Sequence, residues 1–147
     1  MRALLQRVKE AKVQVMGRTV GQIEKGLVVL LGVTHDDTKE DLDYLVEKTL
    51  NLRIFPDDKG KMNRSLLDVG GELLVVSQFT LYGYCRKGRR PSFIKAAPPP
   101  LARKMYEEFI NAVRQKGVRV SSGRFQEEML VEIYNEGPVT ILLDSKQ

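Results

Sequence analysis

The sequence predicts an α+β domain: a mostly antiparallel β-sheet or open barrel covered by two helices. Three observations carry that prediction. Short apolar runs of strand length recur along the chain, a helical period replaces them twice, and no repeat, low-complexity stretch or linker divides the 147 residues. A chain of this length, 42% hydrophobic, buries roughly 68–70% of its unfolded surface and stands alone as one domain over residues 1–147.

Ala3 to Val15 reads as a strand with polar interruptions, and Val20 to Ile23 as its hairpin return after a turn at Gly17. Leu27 to Val33 is an unbroken apolar run, as expected of a strand covered on both faces. Thr38 opens a helix with Asp41 three residues on, an approximate capping box, and Leu42, Leu45, Val46 and Thr49 form its apolar face. Arg53 to Phe55 is a short strand closed by a turn over Pro56 to Gly60. A second buried strand, Leu73 to Val76, leads into Ser77-Gln78-Phe79-Thr80-Leu81. Alternation sends Ser77 and Phe79 to one face and Gln78 and Thr80 to the other. Three prolines, 98–100, stiffen the approach to a helix that places Leu101, Met105, Phe109 and Val113 on one face and stops at Gly117. Val118 to Ser121, Met129 to Tyr134 and Val139 to Leu143 complete the chain as strands. Gly137-Pro138, between the last two, must mark an edge, a bulge or a turn, because proline cannot donate to a ladder.

Composition removes several kinds of chemistry. One cysteine, Cys85, allows no intramolecular disulfide, and with the single histidine, His35, it cannot make a zinc site of Cys/His type. No run approaches the ~20 apolar residues of a membrane span, and the first residues lack the apolar core of a signal peptide, so a cytoplasmic protein is expected. There is no Walker loop, GxGxxG or HExxH. His35 lies in Val33-Thr34-His35-Asp36-Asp37, where the acids suit a helix N-terminus better than a catalytic triad. Cys85, beside Arg86 and Lys87, is read as incidental rather than reactive.

Charge is concentrated. The net charge is +5, yet Tyr84 to Lys104 alone carries seven basic residues and no acid. The remaining 17 basic and 19 acidic residues leave the rest of the chain at −2. Such clustering is the footprint of a polyanion, although a solvated loop and helix start also accounts for it. The other unusual segments are Ser77–Thr80, with three hydrogen-bonding side chains at the end of a buried strand, and Asn135-Glu136-Gly137-Pro138-Val139-Thr140. Each alone is also explained as a strand end or a turn.

Together they are more specific. With SQFTL at 77–81 and NEGPVT at 135–140, the chain closely resembles the D-aminoacyl-tRNA deacylases. The resemblance extends in the family's order to Ala3–Val8, Gly26–Val33, Arg53–Phe55, Gly60–Asn63, Arg90–Phe93 and Gly123–Phe125, spanning essentially the whole sequence.

The resemblance implies a homodimer that hydrolyses the ester joining a D-amino acid, or glycine, to the 3′ end of tRNA, including mischarged glycyl-tRNA(Ala), and spares L-aminoacyl-tRNA. No cofactor or metal is implied. The active site is expected at the subunit interface, where a cis Gly137-Pro138 pair enters the partner's pocket and Arg7 holds that pair in orientation. Ser77, Gln78, Phe79 and Thr80 are the other expected substrate contacts. Backbone N–H groups near Phe79 and Thr80 are the expected oxyanion donors, with the tRNA's own 2′-OH assisting hydrolysis. Thr80 as nucleophile remains an alternative, though without a neighbouring base it would be poorly activated. Arg86, Lys87, Arg89 and Arg90 are expected to contact tRNA. A non-catalytic RNA-binding module and a small-molecule esterase stay open as other readings.

Overall fold

The computed structural model describes residues 1–147. In chain order the elements are β1 (Arg2–Val15), β2 (Arg18–Ile23), β3 (Gly26–Gly32), α1 (Lys39–Asn51), β4 (Phe55–Pro56), β5 (Met62–Arg64), α2 (Leu66–Val69), β6 (Glu72–Ser77), α3 (Pro99–Gln115), β7 (Val120–Ser122) and β8 (Leu130–Asp144). A 3-10 turn, Phe79–Tyr82, follows β6.

The long strand β1 organises the sheet. Its first half pairs with β3 and its second half with β2, while β8 runs antiparallel along β1 through almost its whole length. The sheet order is β2-β1-β3-β6-β7. The ends of that row approach each other, and the Ser121 hydroxyl on β7 donates to the Gln22 carbonyl on β2 at 3.1 Å. The result is a nearly closed barrel, with β8 paired along β1 and its Val131 and Ile133 packed against the barrel interior. The pairings of β1 are antiparallel, but β3–β6 and β6–β7 are parallel. Both parallel connections cross over through a long helix, as parallel pairs require.

Period-two alternation divides the core in two. Val28, Leu74 and Val76 point into the barrel with Val8, Ala11, Val13 and Ile23. Leu27, Val29, Leu31, Leu73 and Val75 point outward against α1 and α3, meeting Leu42, Leu45, Met105, Phe109 and Val113. That double covering is why β3 and β6 read as unbroken apolar runs. Their approach is close: a Cβ on Gly26 would lie 1.8 Å from the Glu72 carbonyl oxygen, so this position admits only glycine.

Helix α1 begins as the sequence predicts. The Thr38 N–H donates to the Asp41 carboxylate at 2.8 Å. Met105, Phe109 and Val113 of α3 are buried, and Leu101 is half-buried.

The structure corrects several expectations. The strand expected at Arg53–Phe55 begins only at Phe55 and pairs with β5, which lies just beyond the expected turn. Asp57 makes that ribbon by accepting from the Lys59 and Lys61 N–H groups and from Asn63 Nδ2, at 2.8–3.0 Å. A third helix, α2, exists because Ser65 and Asp68 cap each other. At four residues it is too short to show a period. The strand expected at Val118–Ser121 is displaced to Val120–Ser122. The two C-terminal strands are one, with Gly137-Pro138 inside it.

Candidate active site

A cleft of about 740 Å³ opens where β6 ends, within the 300–1,000 Å³ usual for small-ligand sites. Ser77, Gln78 and Phe79 line one side, Phe93 and Ala96–Pro99 another, and Phe125–Met129 a third. Phe79 and Phe93 meet edge to face, with ring centroids 5.1 Å apart at 72°. The Arg103 guanidinium lies 4.8 Å from the centre of the ring of Phe125, another residue of the cleft wall. The cleft is therefore an aromatic-walled slot opening beside a polar strand end.

Alternation does not survive past Ser77. The chain turns into the 3-10 turn, so Phe79 and Thr80 are placed by that turn and not by a pleat. Arg2 anchors the turn from β1: its Nη1 donates to the Leu81 carbonyl at 2.7 Å, and its guanidinium stacks 4.5 Å from the Tyr82 ring centre. Burial, with Asp37 and Asp144 nearby, pushes the Tyr82 phenol well above its ordinary range, so this buried ring stays neutral. The Gln78 side-chain amide donates to the Thr80 hydroxyl, which brings these two side chains together despite the lost alternation. Around the turn the Gln78 N–H donates to Leu31, the Leu81 N–H to Gln78 and the Gly83 N–H to Thr80. The N–H groups of Phe79 and Thr80, first in the turn, have no acceptor within it.

The basic segment stands on the cleft's rim. Tyr84 and Ser92 exchange two backbone hydrogen bonds of 2.8 and 2.9 Å, closing a loop whose tip carries Arg86, Lys87, Arg89 and Arg90, all exposed. His35 holds the base of this loop: its Nε2 donates to the Ile94 carbonyl at 2.7 Å, while the Thr34 hydroxyl donates to Lys95 at 2.5 Å. Cys85 is exposed on the same loop. No cluster of three His, Cys, Asp or Glu side chains is assembled to hold a metal ion.

Gly137 and Pro138 lie elsewhere. Their peptide bond is cis, both residues are exposed, and Gly137 adopts φ +121°, open in practice only to glycine. The buried Arg7 lies against them: a Cβ on Gly137 would come within 3.0 Å of its Nη2. Arg7 Nε donates to the Glu136 carbonyl at 3.2 Å and Nη1 to the Ile54 carbonyl at 2.7 Å. The register measures the separation. Arg7 is level with Leu27 and Leu73, whereas Ser77 is level with Leu31, four residues further along and three strands from β8. At ~3.3 Å per residue and ~4.8 Å per strand, that is roughly 20 Å across the sheet.

The structure thus brings Ser77, Gln78, Phe79 and Thr80 together beside the basic loop, and leaves Arg7, Gly137 and Pro138 as a separate group. Sequence reasoning assigned no role to the aromatic walls Phe93 and Phe125. Both lie in segments that carry the family resemblance, Arg90–Phe93 and Gly123–Phe125, which is the signal that could have pointed to them.

Comparison with known proteins identifies the family and the fold. The family model described as D-Tyr-tRNA(Tyr) deacylase matches residues 4–144. The chain is 63% identical over 147 residues to a D-aminoacyl-tRNA deacylase of Thermosipho africanus, covering all of this chain and 99% of that one. It is also 63% identical to the enzyme of that name in Clostridioides difficile, with the same coverage. A solved structure titled c-Myc DNA Unwinding Element Binding Protein superposes with TM-score 0.92 at 42% identity, over 98% of both chains. A probable eukaryotic D-amino acid tRNA deacylase shares the fold, with TM-score 0.85 at 23% identity over 97% of both chains.

Barrel, cleft and relatives together define a hydrolase. Its small single domain carries an aromatic-walled cleft beside a cationic loop. The chain belongs to the D-aminoacyl-tRNA deacylase family, and its activity is the deacylation of D-aminoacyl-tRNA.

Proposed function

We propose that two copies of the chain build each active site, the cleft of one receiving the Gly137–Pro138 segment of the other. The observation that carries this reading is the distance of roughly 20 Å, over the sheet of one protomer, between two segments that each lack the other's half of a site. Gly137 and Pro138 are exposed and free to enter a second molecule. Strand β8 pairs only with β1, and its outward side presents Leu130, Tyr134 and Leu142. A 15-residue edge strand of that kind invites a partner.

In the composite site the Gly-Pro backbone selects the substrate. A backbone element held by the buried Arg7 stands where the side chain of an L-amino acid would project, while a D-amino acid or glycine leaves only hydrogen there. D-aminoacyl-tRNA and mischarged glycyl-tRNA(Ala) are therefore accepted and L-aminoacyl-tRNA is refused. The terminal ribose 2′-OH of the tRNA assists hydrolysis. The Phe79 and Thr80 N–H groups stabilise the oxyanion, Gln78 and Thr80 position the ester, and the Arg86–Arg90 loop binds the tRNA phosphates. The protein works in the cytoplasm, with its substrate. The DNA-binding name of one structural relative favours a second reading, nucleic-acid binding without turnover.

Mixing two variants tests the proposal. Phe79→Pro removes one of the two N–H donors at the cleft, and Gly137→Ala forces a Cβ against Arg7 at φ +121°. Each alone should be nearly inactive on D-aminoacyl-tRNA. Co-refolded, they should regain activity, because a mixed dimer contains one site with both halves intact. No recovery despite demonstrated mixed dimers would exclude a shared site. Nucleic-acid binding without ester turnover by the wild type would favour the second reading.

A further inference from the structure

The detour that β8 makes at Gly137–Pro138 is closed at its neck by three side chains. Asn135 pairs with Val8 and Thr140 with Gln6, so the four residues Glu136–Val139 stand opposite the single residue Arg7. The strand must leave the ladder between Asn135 and Thr140 and return to it. Asn135 Nδ2 donates to Thr140 Oγ1 at 2.9 Å, and Gln6 Nε2 donates to the same oxygen at 3.3 Å. The Val139 N–H donates to Asn135 Oδ1 at 3.3 Å. Asn135 thus uses both ends of its amide across the neck, and the Thr140 oxygen accepts from both flanks.

These bonds are poorly suited to a stabilising role. The two that meet at Thr140 are exposed to water, where exchange with solvent leaves little net stability. Neither Asn135 nor Thr140 belongs to either core cluster. What the bonds do fix is the width of the neck, and with it the direction of the backbone at the tip. Arg7 holds the inner side of the detour through Glu136, but reaches neither side chain at the neck.

We infer that Asn135, Thr140 and Gln6 form a clasp that holds the Gly137–Pro138 tip in the shape needed to refuse L-substrates. They are positioning residues, and the inference rests on the reading that this tip enters the partner's cleft. A steric filter depends on backbone placed to a fraction of an ångström, since displacements near 1 Å change rates by about a hundredfold. The clasp therefore matters for discrimination between substrates more than for stability.

Thr140→Val is the informative variant, because it keeps the shape of the side chain and removes the oxygen that accepts both amides. Turnover of L- relative to D-aminoacyl-tRNA should rise about tenfold or more, with kcat on the D-substrate reduced and KM changed less than about threefold. Its melting temperature should stay within about 3 °C of wild type. Thr140→Ser should restore the wild-type ratio. Asn135→Ala should raise the ratio by itself but add little in the Thr140→Val background, as expected for residues acting as one unit. Wild-type ratios in both Thr140→Val and Asn135→Ala would overturn the clasp. So would an unchanged ratio in Asn135→Ala if Thr140→Val fails to fold. Gly137→Ala, read in the same assay, separates the two levels. If it alters discrimination while the clasp variants do not, only the clasp falls; if it too leaves discrimination intact, the role of the tip falls with it.

Discussion

Arg7 ties Glu136 to Ile54: one guanidinium donates to both carbonyls, at 3.2 and 2.7 Å, so the detour in β8 is held against the segment that enters β4. The planar fork of arginine allows this and the single ammonium of lysine does not. Arg7→Lys should keep the charge yet lose one of the two bonds, leaving a buried carbonyl unpaired at a cost of about 1–3 kcal/mol. For a domain of this size that lowers the melting temperature by roughly 2–12 °C. D-aminoacyl-tRNA turnover should fall by more than tenfold, because the orientation of the tip is lost as well. Thermal melts and single-turnover assays on the same preparation check both. A variant with full activity would show that Arg7 is only a core residue.

The Thr80 hydroxyl accepts from Gln78, and the chain's one histidine is engaged with Ile94, so no histidine is placed to activate Thr80. Thr80→Ala should therefore retain turnover within about tenfold of wild type, whereas a tRNA ending in 2′-deoxyadenosine should lose at least a hundredfold. The comparison requires an amino acid attached through the 3′ oxygen in both substrates. Full turnover of the deoxy substrate, together with an inactive Thr80→Ala, would make the threonine the nucleophile.

Much of the fold was legible because burial leaves a simple trace. Leu27–Leu31 and Leu73–Val76 are covered on both faces, and Met105, Phe109 and Val113 on one, and each pattern appears directly in the residue order. The misreadings share a cause. At Phe79 and Thr80 the chain is turned by a 3-10 turn that Arg2 anchors from a distant strand, so the pleat ends at Ser77, although Gln78 and Thr80, expected on one face, still meet. Between Asn135 and Thr140, proline implied a break, but β1 continues alongside and supplies the partners that rejoin the strand. Of the site, the SQFT and Gly-Pro segments were recognisable as motifs, and the basic cluster by counting charge. Their separation within one chain was implied by the family resemblance and not by the residue order itself, because it depends on register across three strands. The aromatic walls Phe93 and Phe125 come from segments about 30 residues apart whose meeting is a property of the folded chain.

Arg86, Lys87, Arg89 and Arg90 are exposed on a loop anchored beside Phe93 in the cleft wall. Changing all four to glutamine should raise KM for aminoacyl-tRNA by about tenfold or more near 0.1 M salt and leave kcat almost unchanged. The dependence of log KM on log salt should flatten by about 0.7–0.9 for each phosphate that the loop no longer neutralises. Hydrolysis of a short aminoacyl-adenosine should change little, since it has no phosphate for the loop to bind. An unaltered salt slope would identify the cluster as a solvated face.

Acid should loosen the corner where both ends of the chain meet α1. Burial raises the cost of ionising Asp41, but the Thr38 N–H, the Ser145 hydroxyl and the Lys146 ammonium more than offset it and hold the carboxyl well below the usual carboxylate range. Asp144 is likewise opposed by burial and lowered by the Lys146 N–H and by Arg2, whose Nε donates to it at 3.0 Å. Both groups bind protons less readily folded than unfolded, so their stabilisation is complete above the unfolded value near 4 and declines as pH falls through the lower folded values. The melting temperature should be flat with respect to these two groups from about pH 7 to 5 and should fall steeply below about pH 4. Asp41→Asn cannot ionise, so it should be less stable than wild type at pH 7 and show a shallower fall in acid, the two curves converging as pH drops. Thermal melts of both proteins between about pH 7 and 3 measure this. Parallel curves would mean that Asp41 contributes nothing to the acid response.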